Sequence, residues 1–233
     1  MARLSLIVDF VAAIRELRKS RDPDPVAVAL QAELAGVDGI TVQLREDRRE
    51  IKERDVDLLR EMVRSHFNLR IAPNEDLLKK AIALLPDMVT FVPDGHGEMG
   101  GLDVASTGDY LQDMVASLKA NGIVVSVLVD PDVRQIKAAA RCGADFVEIL
   151  SWYYARSDEV SIVEEELERI RNAAVAAQKL GLGVAASGGL DYSNITDLVA
   201  IEQIEEVHVG AAILNRALLV GIDRAVRDFK ALL

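Results

Sequence analysis

Gly143-Ala144-Asp145-Phe146-Val147-Glu148-Ile149-Leu150 decides the fold. A glycine just past a helix supplies the positive φ that helix ends favour. The apolar run behind the acidic residue reads as a buried parallel strand. The same grammar occurs twice more: Gly36-Val37-Asp38 precedes Gly39-Ile40-Thr41-Val42, and Leu85-Pro86-Asp87 precedes Met88-Val89-Thr90-Phe91-Val92. A unit that closes a helix, turns on an acidic residue and enters a strand is the β/α repeat.

Working outward, the pattern predicts eight strands, near Leu4–Asp9, Gly39–Gln43, Asn68–Ala72, Met88–Val92, Val124–Val129, Phe146–Leu150, Gly183–Ala186 and Glu206–Val209. Helical periodicity separates them at Pro25–Ala35, Asp55–His66, Asn74–Leu84, Pro131–Ala140, Ile162–Leu180 and Arg216–Leu233, with Pro25 and Pro131 where a first turn tolerates proline. Eight units in this length average roughly 29 residues each, the size expected of a (β/α)8 TIM barrel. A doubly wound open sheet is the rival, but near-equal units favour closure. No linker-like stretch divides the 233 residues, so residues 1–233 are expected to form a single domain. Half of them are hydrophobic and only 4% aromatic, which suits strands covered by helices on their outer faces.

The formal charge of −11 opposes nucleic acid and anionic membrane surfaces as partners. Cys142 stands alone, so no intrachain disulfide is possible, which fits a reducing cytoplasm. The first residues, MARLSLIVDF, show no signal-peptide cleavage pattern, and no apolar run is long enough for a membrane span. No His/Cys/Asp/Glu cluster has metal-ligand spacing, so no metal is expected. The reading is of a cytoplasmic protein with a small-molecule ligand.

In a barrel of this kind chemistry sits at the C-terminal ends of the strands, and the last two strands commonly bind phosphate. Here they end in Ala186-Ser187-Gly188-Gly189 and His208-Val209-Gly210-Ala211-Ala212. Glycines let backbone N–H groups approach an anion, and a following helix N-terminus adds a favourable dipole. The plainer alternative is that these glycines only permit tight turns.

Several runs together resemble the pyridoxine 5′-phosphate synthase family: Asp22-Pro23-Asp24-Pro25-Val26, Ala35 to Val42, Leu44-Arg45-Glu46-Asp47-Arg48-Arg49, Gly100-Gly101-Leu102-Asp103-Val104, Gly143 to Ile149, and the helix from Gly221 to Leu233. The resemblance implies a cofactor-free enzyme of vitamin B6 biosynthesis. It would condense 1-deoxy-D-xylulose 5-phosphate with 3-amino-2-oxopropyl phosphate, releasing phosphate and water, and would assemble as a homo-oligomer, usually an octamer. The family's three proton-transfer groups would fall at positions 43, 70 and 188, where this chain has Gln43, Arg70 and Gly188. Phe10, Leu150, Trp152 and Ala211 also depart from the pattern, whereas Asp9, Arg18, Arg45, Glu148, Gly189 and Gly210 match positions with binding or transition-state roles. Scaffold motifs beside altered pocket residues point to a rebuilt active site, reached by natural divergence or by laboratory redesign. On that expectation the transferase activity itself is in doubt.

Strand alternation orients the pocket. Ile7, Asp9, Arg70, Glu148, Leu150, His208 and Gly210 share the inward parity. Closure would bring His208 beside Asp9, a pairing that makes a general base. Glu148, its pKa raised by apolar neighbours, is the other candidate base; equally, Arg70 can hold it in a structural ion pair. Arg18, Arg45, Arg70, Ser187, Gly188, Gly189, Gly210 and Ala211 are the candidate ligand contacts, with Phe10, Gln43, Leu150 and Trp152 as walls. Trp152, Tyr153 and Tyr154 form either an aromatic wall or a packing surface, while His66 and His96 read as surface residues. Three functions follow: altered acid–base chemistry at Glu148, Asp9 or His208; retained pyridoxine 5′-phosphate synthase; or an inactive barrel that binds phospho-ligands.

Overall fold

The computed structural model describes residues 2–94 and 100–233. In chain order the elements are β1 (Arg3–Ile7), α1 (Asp9–Leu17), α2 (Pro25–Ala35), β2 (Gly39–Gln43), α3 (Glu53–Met62), β3 (His66–Ile71), α4 (Glu75–Leu84) and β4 (Met88–Phe91). They continue with α5 (Val104–Ala120), β5 (Val124–Val129), α6 (Val133–Arg141), β6 (Phe146–Leu150), α7 (Trp152–Arg156), α8 (Val160–Lys179) and β7 (Gly183–Ser187). The last are α9 (Ile195–Val199), β8 (Glu206–Val209), α10 (Ala211–Val220) and α11 (Ile222–Lys230).

All eight strands run parallel and close in sequence order, with Ser5 of β1 opposite His208 of β8. Closure leaves no exposed sheet edge. The outward positions, among them Leu4, Leu6, Val42, Phe67, Leu69, Phe91, Val127, Ile149 and Val207, are apolar and buried under the helices in one continuous core. The inward positions are unusually polar: Ser5, Thr41, Asn68, Arg70, Thr90, Ser126, Glu148, Ser187, Glu206 and His208 are all buried. Arg70 on β3 contacts Glu148 on β6, a meeting of non-neighbouring strands that only the barrel interior permits.

The repeated acidic residue has a physical task that its spacing alone does not reveal. Asp38, Asp87 and Asp145 each donate their own N–H to the carbonyl of the second residue of β1, β3 or β5 (Leu4, Phe67, Val125), and each carboxylate accepts the N–H of that same residue at 2.8–2.9 Å. The clamp satisfies strand-end groups at the bottom of the barrel that would otherwise be orphaned.

The observed elements differ from the sequence reading at five places. β1 stops at Ile7, and Asp9 opens a helix instead of ending a strand. α3 ends at Met62, because Val63–Ser65 turn directly into β3, which starts at His66. The aromatic stretch after β6 is the short helix α7, and Gly221 divides the terminal helix into α10 and α11. Helix α5 has no counterpart among the predicted spans.

The charge-rich run after β2 is anchored by a buried pair. Arg15 of α1 donates from both terminal nitrogens to Asp55, at 2.8 and 2.7 Å, and from one of them to the Glu50 carbonyl. Asp55 also accepts the Lys52 N–H at the start of α3. Asp55→Asn keeps the shape and loses the charge, so urea denaturation is expected to report a loss of about 1.5–3 kcal/mol, the range for a hydrogen bond to a charged group.

Candidate active site

A cavity of about 890 Å³ opens at the C-terminal ends of the strands. Its polar side is built by Asp9, Gln43, Arg45, Glu50, Arg70 and Ser187, and His208 lies in its floor. Its apolar side is a small separate cluster of Val92, Leu128 and Leu150, with Trp152 packed against it and Phe10 at the rim. Gly188, Gly189, Gly210 and Ala211 also line the cavity, the last two at the N-terminus of α10. Gly188 and Gly189 have φ of +107° and +73°, a backbone path that favours glycine.

Two predicted site residues are not on the cavity wall. Glu148 is fully buried beneath it, and Arg18 is an exposed residue just past α1, outside the lining. The three aromatics after β6 divide: Trp152 lines the cavity, Tyr153 is exposed, and Tyr154 is buried with its hydroxyl donating to the Asn194 carbonyl. His66 is half-buried rather than a surface residue, and His96 lies outside the described residues.

The expected His208–Asp9 pair does not form. Because the chain turns into α1 after Ile7, the Asp9 carboxylate reaches β2 and accepts the Gln43 N–H at 2.8 Å. His208 instead lies between two other carboxylates. Its Nε2 is 2.8 Å from Glu206 Oε1, and its Nδ1 is 3.0 Å from both Glu148 Oε2 and Arg70 Nη2. Arg70 Nη2 and the Ser187 hydroxyl both donate to Glu148 Oε1. Glu206 was not a sequence candidate. Its signal was the Glu206-Val207-His208 spacing, which puts both side chains on one strand face.

The electrostatics follow from these contacts. Burial pushes the Glu148 carboxyl upward, but the Arg70 and His208 cations outweigh it and hold it down to about 2. The expected upward shift of Glu148 is therefore reversed: its decisive neighbours are cations, not apolar groups. Burial opposes charge on His208, yet Glu148 and Glu206 carry its pKa up to about 9. Asp9 behaves oppositely. Desolvation raises it to about 7, only partly offset by the Gln43 N–H and by Arg70 and Arg45. Asp9 is the cavity-lining carboxyl poised near neutrality. Among the described residues, no group of three or more His, Cys, Asp or Glu side chains is placed to hold a metal ion, and no helix is long and apolar enough to cross a membrane.

Residues 4–233 match the family model described as pyridoxal phosphate biosynthesis protein PdxJ. The chain belongs to the PdxJ family. It is 47% identical over 231 residues to pyridoxine 5′-phosphate synthase of Geotalea daltonii, covering 98% of this chain and 97% of that one. It is 46% identical to the enzyme of the same name from a Synechococcus strain, covering 99% and 98%. Among solved structures, thiamine phosphate pyrophosphorylase from Pyrococcus furiosus superposes with a TM-score of 0.67 at 16% identity, covering 99% of this chain and 94% of that one. The tryptophan synthase A-subunit from the same organism reaches 0.68 at 12%, covering 99% and 98%. These two likenesses show the (β/α)8 barrel alone.

PdxJ membership corrects the reading of Gln43, Arg70, Gly188 and their neighbours as marks of a divergent or engineered chain with a rebuilt pocket. Identity of 46–47% extends over nearly the whole length of relatives named as the synthase, which supports retained function and a working transferase. Residue type at single positions does not fix function when neighbouring groups in the same cavity can share the electrostatic work.

Proposed function

We propose that this chain is a pyridoxine 5′-phosphate synthase, condensing 1-deoxy-D-xylulose 5-phosphate with 3-amino-2-oxopropyl phosphate. The observation that carries this is the near-full-length identity to synthases of that name. The cavity is consistent with it. Arg45 and Arg70 line the polar side, and Arg45 Nη1 is buried with no hydrogen-bond partner among the described residues, a donor suited to an anionic substrate. The glycines lining the cavity present backbone to a phosphate.

The reaction is redox-neutral overall: it joins carbon and nitrogen atoms and expels phosphate and water. It needs a group that gives and takes protons near pH 7. Asp9 fills that role, because its carboxyl faces the cavity and desolvation raises it to about 7. Arg70, held in place by Glu148, supplies positive charge to the developing oxyanion or leaving phosphate. His208 and Glu148 act as a fixed ion pair beneath the substrate, not as the proton carrier. The protein works without a resident cofactor, in the cytoplasm and as a homo-oligomer; exposed Leu17, Leu218 and Leu219 support assembly.

The test is direct. The purified protein with both phosphorylated substrates is expected to yield pyridoxine 5′-phosphate, detected by mass spectrometry, and none when either substrate is omitted. Absence of product with both present would overturn the reading.

A further inference from the structure

We propose that Glu206, which touches no cavity surface, is a positioning residue for the reaction: it holds His208 as an imidazolium, which in turn fixes Glu148 and Arg70 under the substrate. This rests on the synthase reading of the cavity.

The geometry is a buried line of alternating charge through the barrel interior. Arg70 on β3 contacts Glu148 on β6; Glu148 Oε2 lies 3.0 Å from His208 Nδ1; His208 Nε2 lies 2.8 Å from Glu206 Oε1; and Glu206 Oε2 lies 3.3 Å from Arg3 on β1. Glu148 and His208 are almost fully buried, and Glu206 is 3% exposed. Arg3, with about half its side chain exposed, ends the line at the bottom of the barrel. His66 on β3 is the other titratable group facing Glu206.

Each imidazole nitrogen lies within 3.0 Å of a carboxylate oxygen, and Nδ1 lies equally close to Arg70 Nη2; a neutral ring can donate to only one of the two carboxylates. The Nδ1–Oε2 approach is an ion-pair distance without an aligned hydrogen bond, since Glu148 Oε2 has no hydrogen-bond partner among the described residues. The well-formed contact is on the Glu206 side. Glu206 thus fixes ring orientation, and charge on the ring keeps Glu148 ionised between two cations. With the ring neutral, the Nδ1 lone pair would accept from the Arg70 Nη2 that already lies 3.0 Å away, and the guanidinium would be shared between it and Glu148.

The test uses Glu206→Gln, which preserves shape and one hydrogen bond to the ring but removes the charge. The sequence holds three histidines, so ring resonances are assignable by NMR. In the parent, His208 is expected to stay charged through pH 8. In the variant its midpoint is expected to fall by at least about one pH unit, a tenfold loss of proton affinity. Above that new midpoint kcat is expected to drop about tenfold with KM little changed, recovering at lower pH where the ring is protonated. Glu206→Asp, which keeps the charge, should restore most of the parent profile.

A parent His208 titrating near its ordinary value would overturn the proposal without any variant, so a Glu206→Gln chain that fails to fold does not shelter it. An active parent whose Glu206→Gln pH profile is unchanged would remove the positioning role alone. A parent that makes no product would remove the synthase reading on which the role depends.

Discussion

Asp9→Asn is expected to lower kcat by about 10²–10⁴-fold, the range for loss of a general acid–base group. The amide oxygen can still accept the Gln43 N–H, so the start of α1 should be undisturbed. The carboxyl is raised to about 7, chiefly by desolvation, and so the parent rate should show a limb near neutral pH that the variant lacks. Stability should move the other way. An acid whose folded pKa lies above its unfolded value of 3.8 loses stability as pH rises from about 4 to about 7, because the native state holds the proton more tightly. The variant escapes that loss and should be at least as stable as the parent at pH 8. Steady-state product formation across pH, beside urea denaturation of the same samples, checks both parts. An active, pH-independent Asp9→Asn enzyme would place the proton carrier elsewhere.

Glu148→Gln is expected to produce the largest stability loss, about 3–5 kcal/mol, as when one partner of a buried ion pair is removed. The substitution leaves Arg70 and His208 as buried neighbours 3.0 Å apart without the carboxylate that lies against both. The pH signature has two sides. The stabilisation from His208, whose pKa is raised to about 9, is complete below its unfolded value of 6.5 and is lost as pH climbs to about 9. That from Glu148, depressed to about 2, is complete above 4.5 and is lost as pH falls toward 2. The gap between parent and variant should therefore be widest between about pH 4.5 and 6.5 and narrow on either side. Denaturation midpoints at three pH values would show it, and a gap that stays constant with pH would exclude this network as its source.

Family motifs misled where single positions were weighed. Gln43, Arg70 and Gly188 stand where proton-transfer groups were expected, and were read as signs of redirected chemistry; near-full-length identity to named synthases supports retained function instead. The same three residues line the cavity at the C-terminal ends of the strands. Residue type reports what a side chain can do alone. What it does in a buried site depends on the charges that meet it from other strands.

Local signals determined the barrel. The glycine and acidic turns, the apolar runs behind them and the near-equal spacing depend on neighbours within a few residues, and they predicted all eight strands to within about two residues. Alternation likewise put Ile7, Arg70, Leu150 and His208 on the inward face, since a strand's period needs no partner. Tertiary structure decided the pairings. Whether His208 meets Asp9 or Glu148 depends on where β1 ends and how closure sets the register of β8 against β1 and β7. The Glu206–His208 pair, two apart on β8, is implied by alternation, whereas Arg70 and His208 meet across 138 positions. The charges of the site are set there, because desolvation and Coulomb interactions across the barrel interior, not residue identity, hold Glu148 low, His208 high and Asp9 near neutrality.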